Sequence, residues 1–251
     1  MTATSTADDG ILFILAAGWY AVHGVAQATC PGEAGFLPVS FWSSTGIPAC
    51  VFGVAQAFLP VFLVKAGPPM SRKVLLVTGD AGDSYEVLYA YHRFLEARWE
   101  PVVAAPVRRR LHLVLHDTEP GWETYVERPG HSLEADVAIT AVAARDFAAI
   151  VILGGRAPEY LRNDASLLSL VREFADHDKC ICAIGHGIQV LAAAGTVKGR
   201  TVTCHAHVRI EVERSGGVYS PKPAVRDGKL VTAQSWNAHP EFYREIFACL
   251  G

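Results

Sequence analysis

The stretch Cys180-Ile-Cys-Ala-Ile-Gly-His-Gly-Ile-Gln-Val-Leu-Ala-Ala-Ala-Gly195 decides the fold class of this 251-residue chain. Its first five residues are apolar and predict a buried strand. A sharp turn at residues 185–187 joins this strand to a helix that Gly195 closes. A strand, a tight turn and a helix in this order are typical of the elbow on which α/β enzymes expose a nucleophile. At the tip stands Gly185, which has no side chain and therefore no nucleophilic atom.

Outward from this stretch, apolar strand patterns and helical patterns alternate. We predict strands at 74–77, 101–105, 147–153, 180–184, 201–205 and 230–233, helices at 84–97, 164–176, 187–194 and 240–249, and a small hairpin or added edge from 111–117 and 122–126. Strands that alternate with helices imply an α/β fold, in which helices sandwich a mainly parallel sheet.

Binding sites of such sheets form beyond the carboxyl ends of the strands. Three segments are predicted to meet there: residues 79–86, 154–160 and 185–187. Their convergence predicts a single functional site.

The first two segments carry an acid, two glycines and an arginine. Glu86 opens the first predicted helix, where it is either a functional carboxylate or a simple N-terminal helix charge. Asp83 is a second candidate for the N-terminal helix charge. Gly154 and Gly155 allow a close approach of backbone amides to a ligand, as in an oxyanion hole, and also suit a tight turn. Arg156 is a candidate to bind a carboxylate or to pair with Glu159.

The third segment carries His186, between Gly185 and Gly187. The amides that open the following helix form a natural anion site, in which Gly187 is a candidate ligand-binding residue. His186 is either a proton donor or acceptor near neutral pH or a structural histidine bonded to a neighbouring strand.

Histidines and cysteines elsewhere do not predict a metal centre. His205 and His207 would share one face of a strand, with His239 or Glu86 as a third ligand, but this spacing matches no known zinc or iron site. The six cysteines lack zinc-site spacing, and we expect buried free thiols. No metal or cofactor is predicted.

Four segments together resemble the DJ-1/PfpI superfamily, from about Lys73 to the C-terminus: VTGDAGDSYEV, GGRAPEYL, CAIGHGIQVLAAAG and DGKLVTAQSWNAHPEF. The second segment and the HPEF portion look most like the members that occur in plants as tandem domains with glutathione-independent glyoxalase activity. The resemblance implies a flavodoxin-like fold shared with class I glutamine amidotransferase domains. It also implies a homodimer or a higher homo-oligomer.

In the family, the elbow reads Ala-Ile-Cys-His-Gly, and the cysteine thiolate attacks a carbonyl with the help of a glutamate. The resemblance places that glutamate at Glu86, the histidine at His186 and the oxyanion-side glycines at Gly154 and Gly155. His239 is assigned to ligand binding. The cysteine position falls on Gly185. Cys204 is the less implausible substitute thiol, since Cys182 is expected inside the sheet.

Two functions follow from this pattern. The first is a non-catalytic or weakly active binder of small carbonyl or carboxylate compounds. The alternative is a glyoxalase-, deglycase- or hydratase-type enzyme that uses Glu86 and His186 for acid–base chemistry. Loss of a nucleophile that acts as part of a unit costs several orders of magnitude in rate, which favours the binder. Peptidase activity would need the missing thiol as well.

Composition and charge separate the chain into two parts. Residues 1–69 carry four charged side chains, whereas residues 70–251 read as an ordinary DJ-1/PfpI-like domain. The first part has three possible interpretations: a signal-like segment or membrane anchor, an added surface element, or translated upstream sequence with Met70 as the start. We favour the third. We expect a cytoplasmic protein with no membrane contact unless residues 11–64 act as an anchor.

The net charge of the chain is −3, and we expect no basic face wide enough to bind nucleic acid.

Overall fold

The structure, a computed structural model, describes residues 72–251. The strands are β1 (Lys73–Val77), β2 (Glu100–Ala105), β3 (Arg110–Asp117), β4 (Val126–Glu134), β5 (Val137–Ala138), β6 (Ala149–Ile152), β7 (Cys180–Ile184), β8 (Thr201–Val202), β9 (Val218–Tyr219), β10 (Ala224–Asp227) and β11 (Leu230–Ala233). The α-helices are α1 (Ser84–Glu96), α2 (Ala157–Leu161), α3 (Ala165–Asp176), α4 (Ile188–Ala194), α5 (Arg209–Arg214) and α6 (His239–Leu250). The predicted segment 1–69 lies outside the described residues.

Seven strands form one sheet in the order β10-β11-β7-β6-β1-β2-β5. Every neighbouring pair is parallel except β10 and β11. Strands β1, β6 and β7 lie side by side in the middle, so that the segments that follow them emerge at one edge. The predicted α/β fold with a mainly parallel, helix-covered sheet is confirmed.

Helices cover both faces because the central strands are apolar on both sides. Strands β6 and β7 are buried at every position, as expected of a parallel sheet between two helical layers. One face packs against α1 and α6 through Phe94 and Phe242, and the other against α3 and α4 through Phe174 and Leu191. Each such side chain contributes about 1.5–3 kcal/mol when fully buried, so this core holds the strand ends in place.

Several predicted bounds match the structure. Strands β7 and β11 begin and end where the apolar runs do. Helix α3 follows Asp164, whose carboxylate accepts hydrogen bonds from the amides of Ser166 and Leu167 as a helix N-cap.

The hairpin differs from the prediction. Its second strand is β4, from Val126 to Glu134, whereas residues 122–125 belong to the connection. Strand β4 is polar and contains Pro129, which a two-stranded ladder tolerates at an irregular register. The predicted strand 201–205 is also shorter. Only Thr201–Val202 pair, with β9 outside the main sheet, and a 3-10 turn at Ala206–Val208 follows.

Within residues 72–251, none of the helices is both long enough and apolar enough to span a bilayer.

Candidate functional site

The elbow predicted from the sequence is present. Strand β7 ends at Ile184 in an extended conformation, and Gly185 follows with a φ of +57°. A 3-10 turn at Gly185–Gly187 leads into α4, which ends at Gly195 with a φ of +79°. A residue with a side chain at a left-handed position costs about 1–3 kcal/mol, so glycine relieves strain at the tip of this elbow.

Glu86 lies beside the elbow because Asp83 starts helix α1 there. Oδ1 of Asp83 accepts a 2.9 Å hydrogen bond from the amide of Glu86, which caps the helix. The Glu86 residue is only 3% exposed, and its Oε2 accepts a 2.8 Å hydrogen bond from the amide of Gly154. A Cβ atom placed on Gly185 would stand 3.4 Å from Oε1 of Glu86. The structure therefore brings Glu86, Gly154 and Gly185 together, as predicted.

Burial changes the acidity of Glu86. Desolvation and, to a smaller extent, the charge of Asp83 raise its pKa to about 8, against the opposing effect of the Gly154 amide. The carboxyl group therefore holds its proton at neutral pH. Since Oε2 accepts from Gly154, Oε1 on the side of Gly185 is the oxygen available to donate.

Gly154, Gly155 and Gly187 allow neighbouring segments to pack closely around the elbow. A Cβ on Gly154 would lie 2.5 Å from Oε2 of Glu86, and one on Gly187 would lie 2.4 Å from the carbonyl oxygen of Ile152. A Cβ on Gly155, whose φ is +78°, would lie 2.4 Å from the amide nitrogen of Asp83. Because the Gly154 amide is bonded to Glu86, it is not free to act as the expected oxyanion donor.

A cavity of about 250 Å³ opens next to the elbow. Its lining comes from strands β3 and β4, helix α2, two 3-10 turns and the connections between elements: His116, Thr124, Tyr125, Glu127, Gly155, Arg156, Glu159, His186 and His207. Of the residues predicted from the sequence, Gly155, Arg156 and His186 reach this cavity. Glu86, Gly154, Gly185 and Gly187 do not line it.

His186 is a neutral group in this wall. Burial, together with the neighbouring His205, His116 and His207, lowers its pKa to about 4. Its ring stacks on that of His205 at 5.2 Å between centroids, and Oη of Tyr125 lies 3.5 Å from its Nδ1. Burial, with smaller effects of the Glu86 and Asp83 charges, raises the pKa of Tyr125 to about 12, so its hydroxyl keeps its proton.

Arg156 pairs with an acid other than Glu159, which was one of the two alternatives considered from the sequence. Its guanidinium pairs with Glu127 of β4 through two nitrogens, with Nη2 2.8 Å from Oε1 and Nε close to Oε2. This pairing lowers the pKa of Glu127. The positive charge of Arg156 is therefore neutralised within the cavity wall before any ligand enters.

His239 does not join the site. The residue is 2% exposed, stacks on Tyr89 at 4.3 Å between ring centroids and contacts Tyr85 and Tyr243. Both ring nitrogens are buried without a hydrogen-bond partner, and burial lowers its pKa to about 4. The ligand-binding role expected for His239 has no support in this geometry, because the side chain packs between α1 and α6.

Cys204 and Cys182, the two cysteines considered as substitutes for the missing nucleophile, are both buried. Cys204 is fully buried in the core, and burial raises its pKa to about 12, which makes it a poor nucleophile. Cys182 is buried too, with its Sγ 3.5 Å from that of Cys180 on the same face of β7. Cys180, Cys182, Cys204 and Cys249 are all buried free thiols, as expected.

His205 and His207 lie at a turn and not on the predicted strand. His205 caps the 3-10 turn, accepting from the amide of His207 at its Nδ1, and the two rings are 4.6 Å apart. Across residues 72–251, no three histidine, cysteine or acidic side chains converge in a way that would hold a metal ion.

Sequence reasoning missed the contribution of the β3–β4 hairpin. It supplies His116, Tyr125 and Glu127 to the cavity. The only indication in the sequence was a group of aromatic and charged residues in a polar segment. No periodic pattern linked this segment to the elbow.

An elbow after a central parallel strand, a buried acid beside it and a polar cavity at the carboxyl edge define an α/β domain whose candidate site lies beyond the carboxyl ends of its strands. Residues 72–248 match the family model of the DJ-1/PfpI family, and the chain belongs to this family.

Curated relatives agree with this assignment. The chain is 34% identical over 215 residues to Protein DJ-1 homolog D of Arabidopsis thaliana, across 82% of this chain and 55% of that protein. It is 31% identical over 146 residues to Protein/nucleic acid deglycase 2 of Escherichia coli, across 57% of this chain and 85% of that protein. The chain thus spans about half the length of the plant relative.

Solved structures share the fold. A ThiJ/PfpI domain protein from Brachyspira murdochii superposes with a TM-score of 0.62 at 21% identity, over 72% of this chain and 96% of that one. Schizosaccharomyces pombe DJ-1 gives a TM-score of 0.59 at 21% identity, over 71% and 92%.

Proposed function

We propose that this protein binds a small carbonyl or carboxylate compound in the cavity beside the elbow, and that Gly185 occupies the position of the family's thiol nucleophile. On this proposal, thiol-based catalysis is absent and any remaining activity is weak. A cavity of about 250 Å³ suits a compound of a few heavy atoms.

The environment of Gly185 carries the proposal. Gly185 has the left-handed backbone of a nucleophile elbow, and a Cβ there would meet only Oε1 of Glu86 at 3.4 Å and the carbonyl oxygen of Gln234 at 3.8 Å. Both distances are within the range of ordinary contacts. The Cβ atom of a cysteine would therefore have room at this position, next to Glu86.

A second candidate is an enzyme of the glyoxalase, deglycase or hydratase type that acts without a thiol. Its support is the contrast between Glu86, with a pKa of about 8, and His186, with a pKa of about 4. At neutral pH one carries a proton to donate and the other a lone pair to accept one, which is what acid–base catalysis needs. Relatives that bear the name deglycase are consistent with this candidate.

Methylglyoxal consumption by the full chain separates the two candidates. We would compare the wild type with Gly185→Cys and Glu86→Gln. Gly195→Cys is the matched control, because it places a thiol at another left-handed glycine with open space around it. The binder predicts that only Gly185→Cys gains activity, about 100-fold or more above the wild type. Wild-type turnover equal to that of Gly185→Cys, and lost in Glu86→Gln, would establish the enzyme instead.

Assembly and location belong to the same proposal. We infer a cytoplasmic homodimer or higher homo-oligomer from the resemblance to the family. Light scattering of the purified full chain tests the oligomer, and a monomer at micromolar concentration would exclude it. Imaging of a tagged full chain tests the location.

A further inference from the structure

His116 and Asp83 form a buried pair at the wall of the cavity. Nδ1 of His116 lies 2.7 Å from Oδ2 of Asp83, and both side chains are 3% exposed. The other oxygen of Asp83 accepts from the amide of Glu86, so the carboxylate is held at both ends. The backbone adds a further link, since the amide of Val114 in β3 donates to the carbonyl of Gly82 at 3.0 Å.

The second nitrogen of His116 has no hydrogen-bond partner. Nε2 is buried, and Oε2 of Glu127 is 3.8 Å away from it, too far for a hydrogen bond. Glu127 is itself engaged by Arg156. Buried polar atoms without partners are rare and mark places where a ligand or a function completes the bonding. His116 lines the cavity, together with His186 and Tyr125.

The chemistry of the pair determines what Nε2 offers. An ionised carboxylate only accepts hydrogen bonds, so Nδ1 of His116 carries the hydrogen that faces Asp83. In the neutral ring the lone pair then sits on Nε2. A base within reach of a ligand, oriented by a second group behind it, is the arrangement that recurs in acid–base and nucleophilic sites.

We propose that His116, positioned by Asp83, is a binding and acid–base residue of this cavity, and that its Nε2 contacts the hydroxyl of a small hydroxy compound or hydrated carbonyl compound. This inference rests on the proposed function and names the group that recognises the ligand. When a proton moves, the O–H bond of the ligand breaks, its electron pair stays on oxygen and the proton joins the lone pair of Nε2. Asp83 is a positioning residue and does not touch the ligand.

A purely structural role is the competing explanation. His116 would then be a cation between Asp83 and Glu127, with hydrogens on both nitrogens, and would have no lone pair for a ligand. The two explanations differ in whether Nε2 carries a hydrogen, which nitrogen NMR detects.

The test uses the full chain labelled with 15N-histidine, at pH 7.5, with lactate as a small hydroxy carboxylate probe. His116→Asn provides the assignment and keeps a short amide that can still donate to Asp83. His112→Asn is the matched control, since His112 is exposed on the same strand. We expect a hydrogen on Nδ1 and a bare Nε2, and lactate should shift the Nε2 resonance.

Lactate affinity gives the second measurement. His116→Asn should weaken binding about tenfold, as for the loss of one well-placed hydrogen bond, whereas His112→Asn should not. Asp83→Asn retains a good helix cap and should weaken binding while it changes the hydrogen position on the His116 ring. A structural role alone would leave the lactate affinity of both variants unchanged.

Two results overturn the inference: a hydrogen on Nε2 at pH 7.5, or lactate binding in which the Nε2 resonance and the affinity of His116→Asn stay unchanged. If lactate does not bind the wild type, the proposed function fails for this probe class. A hydrogen on Nε2 would overturn the inference independently of that failure, because it is measured without ligand.

Discussion

The amide of Gly154 donates a 2.8 Å hydrogen bond to Oε2 of Glu86, which joins the end of β6 to the start of α1. This bond holds the carboxyl group against the elbow, with its other oxygen toward Gly185. Glycine at position 154 is a requirement of this contact, because a Cβ there would overlap the carboxyl oxygen.

Glu86 should make stability depend on pH. Its pKa rises from 4.5 in the unfolded chain to about 8 in the folded protein, so the folded state binds the proton more tightly. The contribution of Glu86 to the free energy of unfolding should therefore be largest below about pH 4.5 and fall as pH rises toward 8. The slope is at most about 1.4 kcal/mol per pH unit. Urea unfolding from pH 5 to pH 8 measures it.

Glu86→Gln isolates this effect from other titrating groups. The difference in unfolding free energy between the wild type and Glu86→Gln should change steadily between pH 5 and pH 8. Glu96→Gln, an exposed position on the same helix, should show a constant difference. A constant difference for Glu86→Gln as well would mean that the carboxyl group is ionised in the folded protein at neutral pH.

Gly185→Cys should destabilise the protein by about 1–3 kcal/mol, because a side chain is forced into a left-handed conformation. Gly195→Cys should cost a similar amount, since its φ is also positive and no atom lies within 4 Å of its Cβ. Chemical unfolding of both variants measures the cost. A much larger loss for Gly185→Cys would show that the elbow has no room for a side chain.

Gly154→Ala should move the Glu86 carboxyl and raise its pKa above about 8, because the amide that stabilises the ionised form would be lost. Its comparison variant is Gly187→Ala, in which the added methyl meets the backbone oxygen of Ile152 instead. Both variants should lose about 1–3 kcal/mol of stability. Carboxyl 13C NMR should show the shift of Glu86 only in Gly154→Ala, and an equal shift in both would contradict the contact.

His239→Phe should leave ligand affinity unchanged and preserve or increase stability by about 1 kcal/mol, since two buried nitrogens without partners are removed. The lowered pKa of His239 gives stability above pH 6.5 that is lost as pH falls through about 4, because the buried ring must then be charged. Unfolding between pH 4 and pH 7 should show a weaker acid dependence in His239→Phe. His92→Phe, on the exposed side of α1, is the control.

Local patterns in the sequence were sufficient for the fold. The apolar runs of β7 and β11, the cap at Asp164 and the glycine at the end of α4 each act within a few residues, and parallel strands bring their following loops to one edge. This explains why Glu86, Gly154 and Gly185 meet as predicted. The β4 strand escaped prediction because a polar two-stranded ladder buries too little apolar surface to leave a periodic pattern.

By itself, therefore, the sequence determined a parallel α/β domain with a glycine at the tip of its elbow and an acid beside it. Only the tertiary structure decided which side chains form the cavity wall. His116 reaches Asp83 across 33 residues and Arg156 reaches Glu127 across 29, while His239 is enclosed by aromatic rings. Apolar periodicity reports which face of an element is buried, but the partners of polar side chains depend on how distant segments pack, and that information is absent from any single segment.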